Sequence, residues 1–169
     1  MLCDGLHGVS LTIKHGLLIP SAGIDESNSE NGDYILYPKD PFASARRLCQ
    51  AIKEKLKLKN FGIILTDSHT HPLRRGVTGI ALAYDGFFPW KNLIGEPDLY
   101  GRKMKMTSVN VVDSLAVAAV FVMGEAAEQQ PLALIETNDV VFTDKAPQPE
   151  DIRIPLEEDL YGPLIAAKK

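Results

Sequence analysis

Between residues 61 and 85 the chain reads FGIIL, then TDSHTHPLRRG, then VTGIALAYD. The outer runs are apolar and rich in β-branched residues, so both read as buried strands. Between them stand an acid, several hydroxyls, two histidines and two arginines. A chain that buries both flanks must bring that chemistry out to the rim of its core, because an unpaired charge cannot stay inside. Strand ends are where side chains leave a core and enter a cleft, and the fold has to be organised around this junction.

The remaining segments supply partners for it. VSLTIK and LLIP, with HG between them, predict a hairpin or a pair of short strands, and SAGIDESNSENGD predicts a long polar loop. From 40 to 58 the pattern turns helical. Asp40 can cap, Pro41 suits the first helical position, and Ala45, Leu48, Ile52 and Leu56 recur at helical spacing. Lys53, Lys55, Lys57 and Lys59 crowd the end of that helix, where cations complement its dipole. Residues 84–101 mix aromatics, glycines and prolines without period and predict an irregular excursion. Phe87, Phe88 and Trp90 within it form either a subunit interface or a satellite core. TSVNVVDSLAVAAVFVMG predicts a second helix, apolar on most faces and so buried, ending at Gly124. PLALIE and VVF are expected as final strands, KAPQPEDIRIP as a linker, and EEDLYGPLI as a short terminal piece that docks. Strands interleaved with two main helices around one core make the expected class α+β, with residues 1–169 as one domain.

Charge and cysteine usage exclude several functions. A formal net charge of −4 argues against broad nucleic-acid binding. Cys3 and Cys49 have no metal-ligand spacing and no disulfide framework, which suits a reducing compartment. LAVAAVFVM is too short to span a bilayer, and MLCDGLHGVS lacks the basic and apolar regions of a signal peptide. The expectation is a soluble cytoplasmic protein without nucleic-acid or membrane partners.

Each candidate site carries two readings. In GIDESN, Asp25 and Asn28 are either hard oxygen ligands or members of an Asx turn that bonds its own backbone. Thr66, Asp67 and Ser68 either supply a carboxylate and hydroxyl to Mg²⁺ or Mn²⁺ and a phosphate, or cap the following turn. Arg74 and Arg75 are a bidentate clamp or a solvated pair. His69 and His71, two apart, are half of a zinc site or loop histidines that touch substrate. Past the second helix, Glu125, Glu128 and Gln129 either add a carboxylate to a two-metal cluster or are simply exposed. Lys103 and Lys105 contact phosphate or mark a solvated strand edge. Neither a phosphate-binding loop ending in GK[ST] nor a GxGxxG fingerprint occurs, so any nucleotide site is of another design.

Taken in order, AGIDESN, YPKDPFASA, GIILTDSHTHPLRRGVTGIALAYDG and DLYGRKMKMTSVNVVDSLAVAAVFVMGE resemble the γ-glutamyl ligases of the deazaflavin coenzyme F-420. The resemblance runs from about His15 to Ile135, and EEDLYGPLI is similar to the branch assigned to folate metabolism. It implies an intertwined homodimer of α+β fold that uses GTP, Mg²⁺ or Mn²⁺, and K⁺. By the same resemblance Asp25 and Asp67 are metal ligands, Ser68 stands for the threonine that ligates a second metal, and Glu125 is at the position of a second-metal ligand. Asn28 touches the nucleotide, and Met123, Gly124, Glu125, Ala126, Ala127, Glu128, Gln129 and Gln130 line its site. Arg74 orients phosphate or the acidic substrate. The implied reaction adds γ-linked L-glutamate to a coenzyme, deazaflavin or folate, through an acyl phosphate. Thr70-His71 and Leu73 depart from the family's usual residues, which points to a changed acceptor and keeps folate in view. The early part of the family's usual sequence also has no counterpart. The alternative expectation is therefore a truncated, non-catalytic core that binds nucleotide or a partner.

Overall fold

A computed structural model of the protein describes residues 3–5 and 8–166. Strands β1 (Cys3–Asp4), β2 (Ser10–Lys14) and β3 (Leu17–Pro20) form an antiparallel sheet in that order. The β2–β3 turn is His15-Gly16, both with positive φ (52° and 77°), the geometry that matches the twist of a tight hairpin. A loop with two single 3₁₀ turns follows, as its polar composition predicts.

Helix α1 (Pro41–Leu56) starts where the sequence says it should: Asp40 Oδ1 accepts from the Ala43 N–H at 2.9 Å. Lys57 ends it in the left-handed region. Its buried face is the predicted one only in part: Ala45 is buried and Ile52 half-buried as expected. Phe42, Ala45 and Cys49 face inward, while Leu48 and Leu56 are 42% and 60% exposed. The reason is proximity: a Cβ on Gly86 would lie 3.2 Å from Cys49 Sγ, so a small side chain must occupy that position.

Strands β4 (Ile63–Thr70) and β5 (Val77–Asp85) form an antiparallel ribbon. Leu65 pairs with Ala83 but Thr66 pairs with Ala81, leaving Leu82 as the extra residue of a bulge. β4 runs on through Thr70, so Asp67, Ser68 and His69 lie within a strand and not in the loop expected for them. Pairing with Ile80, Gly79 and Thr78 holds them extended.

Residues 84–101 also carry more order than expected. β6 (Trp90–Asn92) pairs with β7 (Ser108–Asn110) across a long excursion. Phe87 enters the core, and Phe88 and Trp90 stay about half exposed.

Helix α2 (Val111–Met123) is capped by Asn110, whose Oδ1 accepts from the Asp113 N–H at 3.0 Å. Asp113 returns the bond, its Oδ2 accepting from Asn110 Nδ2 at 2.6 Å. Its other oxygen accepts the Ala81 N–H at 2.8 Å, next to the bulge. One turn on, α2 lies so near β5 that a Cβ on Gly79 would stand 2.2 Å from the Ala116 carbonyl oxygen. Only Val112, Ala116 and Val120 of α2 are fully buried, and Phe121 is 85% exposed, so the helix is half-covered and not enclosed as its composition suggested.

The core gathers Phe42, Ala45, Ala81, Ala83, Tyr84, Phe87, Val112 and Ala116, with α1 and α2 packed on the ribbon. PLALIE forms no strand among the described residues, and VVF contributes only the Phe87–Phe142 bridge, because neither segment has a neighbouring strand to pair with. A short helix, α3 (Gly162–Ala166), closes the described chain with Leu164 exposed. The α+β class expected from the sequence is the one observed. Among the described residues no helix is long and apolar enough to cross a membrane.

Asp113→Ala leaves the buried Ala81 N–H without a partner and should cost about 1–3 kcal/mol in a denaturant titration. Burial, reinforced by the Asp85 carboxylate, pushes the Cys49 thiol up to about 12. The peptide carrying Cys49 should therefore stay unalkylated in native protein near neutral pH and react on unfolding, as read by mass spectrometry.

Candidate functional site

Among the described residues β4 has β5 as its only sheet partner, and along its other edge runs a cleft of about 240 Å³. Asp25, Ser27 and Asn28 line it from the loop, Thr66, Asp67 and Ser68 from β4, Val120 and Met123 from α2, and Gly124, Glu125 and Ala126 from the turn beyond. Three stretches far apart in the chain thus meet at the bulged strand.

Alternation along β4 divides its side chains between two faces. Ser68 pairs with Gly79, which abuts α2, so Ser68 lies on the helix side. Asp67 points to the opposite side, where the Tyr37 hydroxyl donates to its Oδ2. Burial, then the Asp67 carboxylate, pushes the Tyr37 phenol far above its ordinary value, so it remains a donor. Nothing in the local sequence singles out Tyr37. Its one trace is Gly23, where a Cβ would stand 2.2 Å from the Tyr37 ring.

Asp25 forms the Asx turn of its second reading. The Ser27 N–H donates to Oδ1 at 2.9 Å, an Asx turn, and the Ser27 hydroxyl lies 2.9 Å and 2.7 Å from the two carboxylate oxygens. The turn holds the carboxylate at the cleft wall, and these bonds pull it below the usual carboxylate range. Asn28 follows with φ 56°. Because Thr66, Asp67 and Ser68 are mid-strand, the capping reading for them is excluded.

The turn after α2 depends on Gly124, with φ 82° and Glu128 folded so close that a Cβ would meet its Cδ at 2.4 Å. Glu128 Oε2 accepts from the Ala126 N–H at 2.7 Å. Met123, Gly124, Glu125 and Ala126 line the cleft, whereas Ala127, Glu128, Gln129 and Gln130 continue away from its lining. Arg74 and Arg75 lie in the exposed β4–β5 turn, also outside the lining, beside a fully exposed Leu73 at φ 61°. Lys103 and Lys105 are exposed on the β6–β7 excursion, Lys103 in an isolated bridge with Pro97.

His69 and His71 stack edge to face with centroids 4.9 Å apart. His71 Nε2 bonds Thr78 Oγ1 at 2.8 Å, and burial, then His71, lowers the His69 pKa. His69 Nδ1 is buried without a partner. Among the described residues no three His, Cys, Asp or Glu side chains form a cluster that could hold an ion, so the histidine pair finds no third ligand for zinc.

The cleft's donors are of another kind. Asp25, Asp67 and Glu125 bring carboxylates, Thr66 and Ser68 hydroxyls, and no Lys, Arg or His is in the lining. Hard oxygens in an open, water-accessible cleft fit Mg²⁺ or Mn²⁺, ions that bind through one or two carboxylates and complete their shells with water and phosphate. A phosphate entering this acidic wall needs such a cation to offset the charge.

The family model described as F420-0:Gamma-glutamyl ligase matches residues 4–137. The chain is 40% identical over 148 residues to the coenzyme F420:L-glutamate ligase of Methanocaldococcus jannaschii, covering 88% of this chain and 58% of that protein. Against the protein of the same name from Methanococcus maripaludis (strain C7) it is 40% identical, with 78% and 52% covered. Against that from Archaeoglobus fulgidus the figures are 40%, 72% and 49%. The chain spans about half the length of the curated relatives it matches.

Because its folded pKa is lowered, Asp25 contributes stability that is present above the unfolded value of 3.8 and is lost as pH falls through the folded value. Ser27→Ala should move the Asp25 midpoint, followed by carboxyl NMR, back up toward 3.8.

Proposed function

The chain belongs to the F420-0:gamma-glutamyl ligase family, and on that footing we propose that it forms the nucleotide- and metal-binding core of an enzyme that adds γ-linked L-glutamate to a coenzyme. The names of the relatives favour the deazaflavin as acceptor, and Thr70-His71 and Leu73, which depart from the family's usual residues, leave a folate as the other candidate. The observation that carries the reading is the convergence of Asp25, Asn28, Asp67, Ser68 and the Met123–Ala126 turn on one cleft.

The reaction proposed is a two-step amide synthesis. A carboxylate oxygen of the acceptor attacks the γ-phosphorus of GTP, giving an acyl phosphate and GDP. The amine of L-glutamate then attacks the acyl carbon, phosphate leaves, and the amine gives up a proton. A divalent ion held by Asp25 and Asp67, a second held by Ser68 and Glu125, and K⁺ alongside would offset the charge on the phosphate oxygens. The chain's own residues do the positioning. Ser27 and Tyr37 fix the two aspartates, and Gly124 gives the turn its course beside Asn28. Glu128 already binds the Ala126 N–H, so that donor is not free for phosphate unless Glu128 swings away. Arg74, outside the lining in the exposed hairpin turn, would orient the acidic substrate once that turn moves toward the cleft. Such an enzyme works in the cytoplasm, where GTP and the coenzyme are found.

Exposed apolar residues favour a second reading. Phe121, Leu132 and Leu134 are 85%, 86% and 79% exposed, a surface that suits a second copy or a partner chain. On this reading the chain is a non-catalytic core that binds a partner, and nucleotide binds only when that partner is present. A homodimer is the form proposed, with light scattering to measure its mass.

Calorimetry decides the main point. GTP should bind the chain in the presence of Mn²⁺, and both omission of the metal and Asp67→Asn should weaken binding at least tenfold. Equal binding with and without the metal would refute the proposed site, and no binding in either condition would leave the partner-dependent reading in its place.

A further inference from the structure

A second cleft, of about 350 Å³, opens at the other end of α2. Asn110, the N-cap of that helix, borders it, whereas Val120 and Met123 border the first. The 13 residues of α2 rise about 1.5 Å each, so the two clefts lie about 20 Å apart. No role proposed above uses this second cleft.

Two walls build it. One is a face of the β6–β7 ribbon: Trp90 pairs with Asn110 and Asn92 with Ser108, so Trp90, Ser108 and Asn110 stand on the same side. The other is the segment Glu150–Ile154, which lies beyond the residues 4–137 matched by the family model.

Most polar groups around the cleft are already engaged. Asn110 is committed to Asp113, and Asp151 accepts from the Tyr84 hydroxyl and the Gln148 N–H while facing Lys145. Arg153 is not. Its guanidinium lies 5.3 Å from the centroid of Phe42, and its stem packs where a Cβ on Gly16 would come within 2.6 Å of Cδ. So it is held from two sides, yet its Nε is buried with no hydrogen-bond partner among the described residues. Buried donors are satisfied in native structures, so this one lacks a partner that a turn of the side chain toward the cleft it lines would let a ligand atom supply. The indole of Trp90 is 48% exposed across the cleft, a flat apolar platform. Ile152 and Ile154 continue the apolar wall, and Glu150 stands exposed at the rim.

The geometry points to a second ligand site, separate from the metal–phosphate cleft, that takes a flat ring bearing a carboxylate: the ring stacks on Trp90 and the carboxylate pairs with Arg153. The planar guanidinium fork matches a carboxylate, and a cleft of this size holds a fused bicyclic ring. An anion without a ring would forgo the platform, and a neutral ring would leave Arg153 unpaired.

Trp90 is the one tryptophan of the chain, so the protein has a single indole N–H resonance, at the proposed site. Titration of the full chain with 2-naphthoate, followed by ¹H–¹⁵N NMR, should shift that resonance in a saturable way. Neutral 2-naphthamide should need at least ten times the concentration, and Arg153→Gln should weaken naphthoate binding at least tenfold. Ser108→Tyr, at an exposed position, should fill the cleft and abolish binding without lowering the thermal midpoint; this keeps the test valid if Arg153→Gln fails to fold. Asp67→Asn should bind naphthoate as the parent does. No shift at millimolar naphthoate, equal binding of the amide, or loss of binding in Asp67→Asn would each overturn the assignment.

Discussion

The Asp113 carboxylate ties together the parts on which the site depends. One oxygen closes the cap of α2 and the other takes the backbone N–H of Ala81, beside the bulge in the β4–β5 ribbon. A bulge leaves the ladder locally broken, and a buried N–H without a partner is costly. By supplying that partner from a helix, the chain fixes how far along β5 the helix begins. Gly79 then lets α2 lie almost on the strand, and the two contacts together set where the helix ends. The turn at Gly124 arrives at the cleft because of bonds made at the far end of α2.

The bulge also places Asp67 and Ser68. From Thr66 on, β4 pairs one residue out of step with the run before it, which settles which face each side chain meets. Ser68 goes to the helix side and Asp67 to the loop that carries Asp25. Carboxylates therefore collect on an edge where no basic residue lines the cleft. Bringing acids together raises the energy of the empty site, and a hydroxyl such as Tyr37 or the Asx turn at Asp25 relieves part of it. A cation bound there would relieve more of it, in keeping with the proposed metal–phosphate site.

What was legible in the sequence follows the range of the interactions. The cap at Asp40, the stop at Gly124 and the HG hairpin are local, and local chemistry predicts them well. The ordered motifs also picked out Asp25, Asn28, Asp67, Ser68 and the turn after α2, which the structure gathers on one cleft. Residues whose place depends on distant partners were harder to read. The inward stripe of α1 turns on Gly86 approaching Cys49, and Tyr37 reaches Asp67 over the space left by Gly23. The strand expected at PLALIE is apolar enough to form but has no neighbour among the described residues. Composition says a segment can be a strand; only the fold says whether another strand stands beside it.

The open edge of β4 has a second consequence. An unpaired strand edge is a template on which another chain can add a strand, and proteins guard such edges with charge and irregularity. Here the guards are the residues of the cleft itself: Asp67 and Ser68 on the strand, with the bulge bending the ladder beside them. Chemistry and solubility are thus vested in the same few side chains. Replacing these residues with apolar ones would expose a ready seam for aggregation, a cost separate from any loss at the cleft.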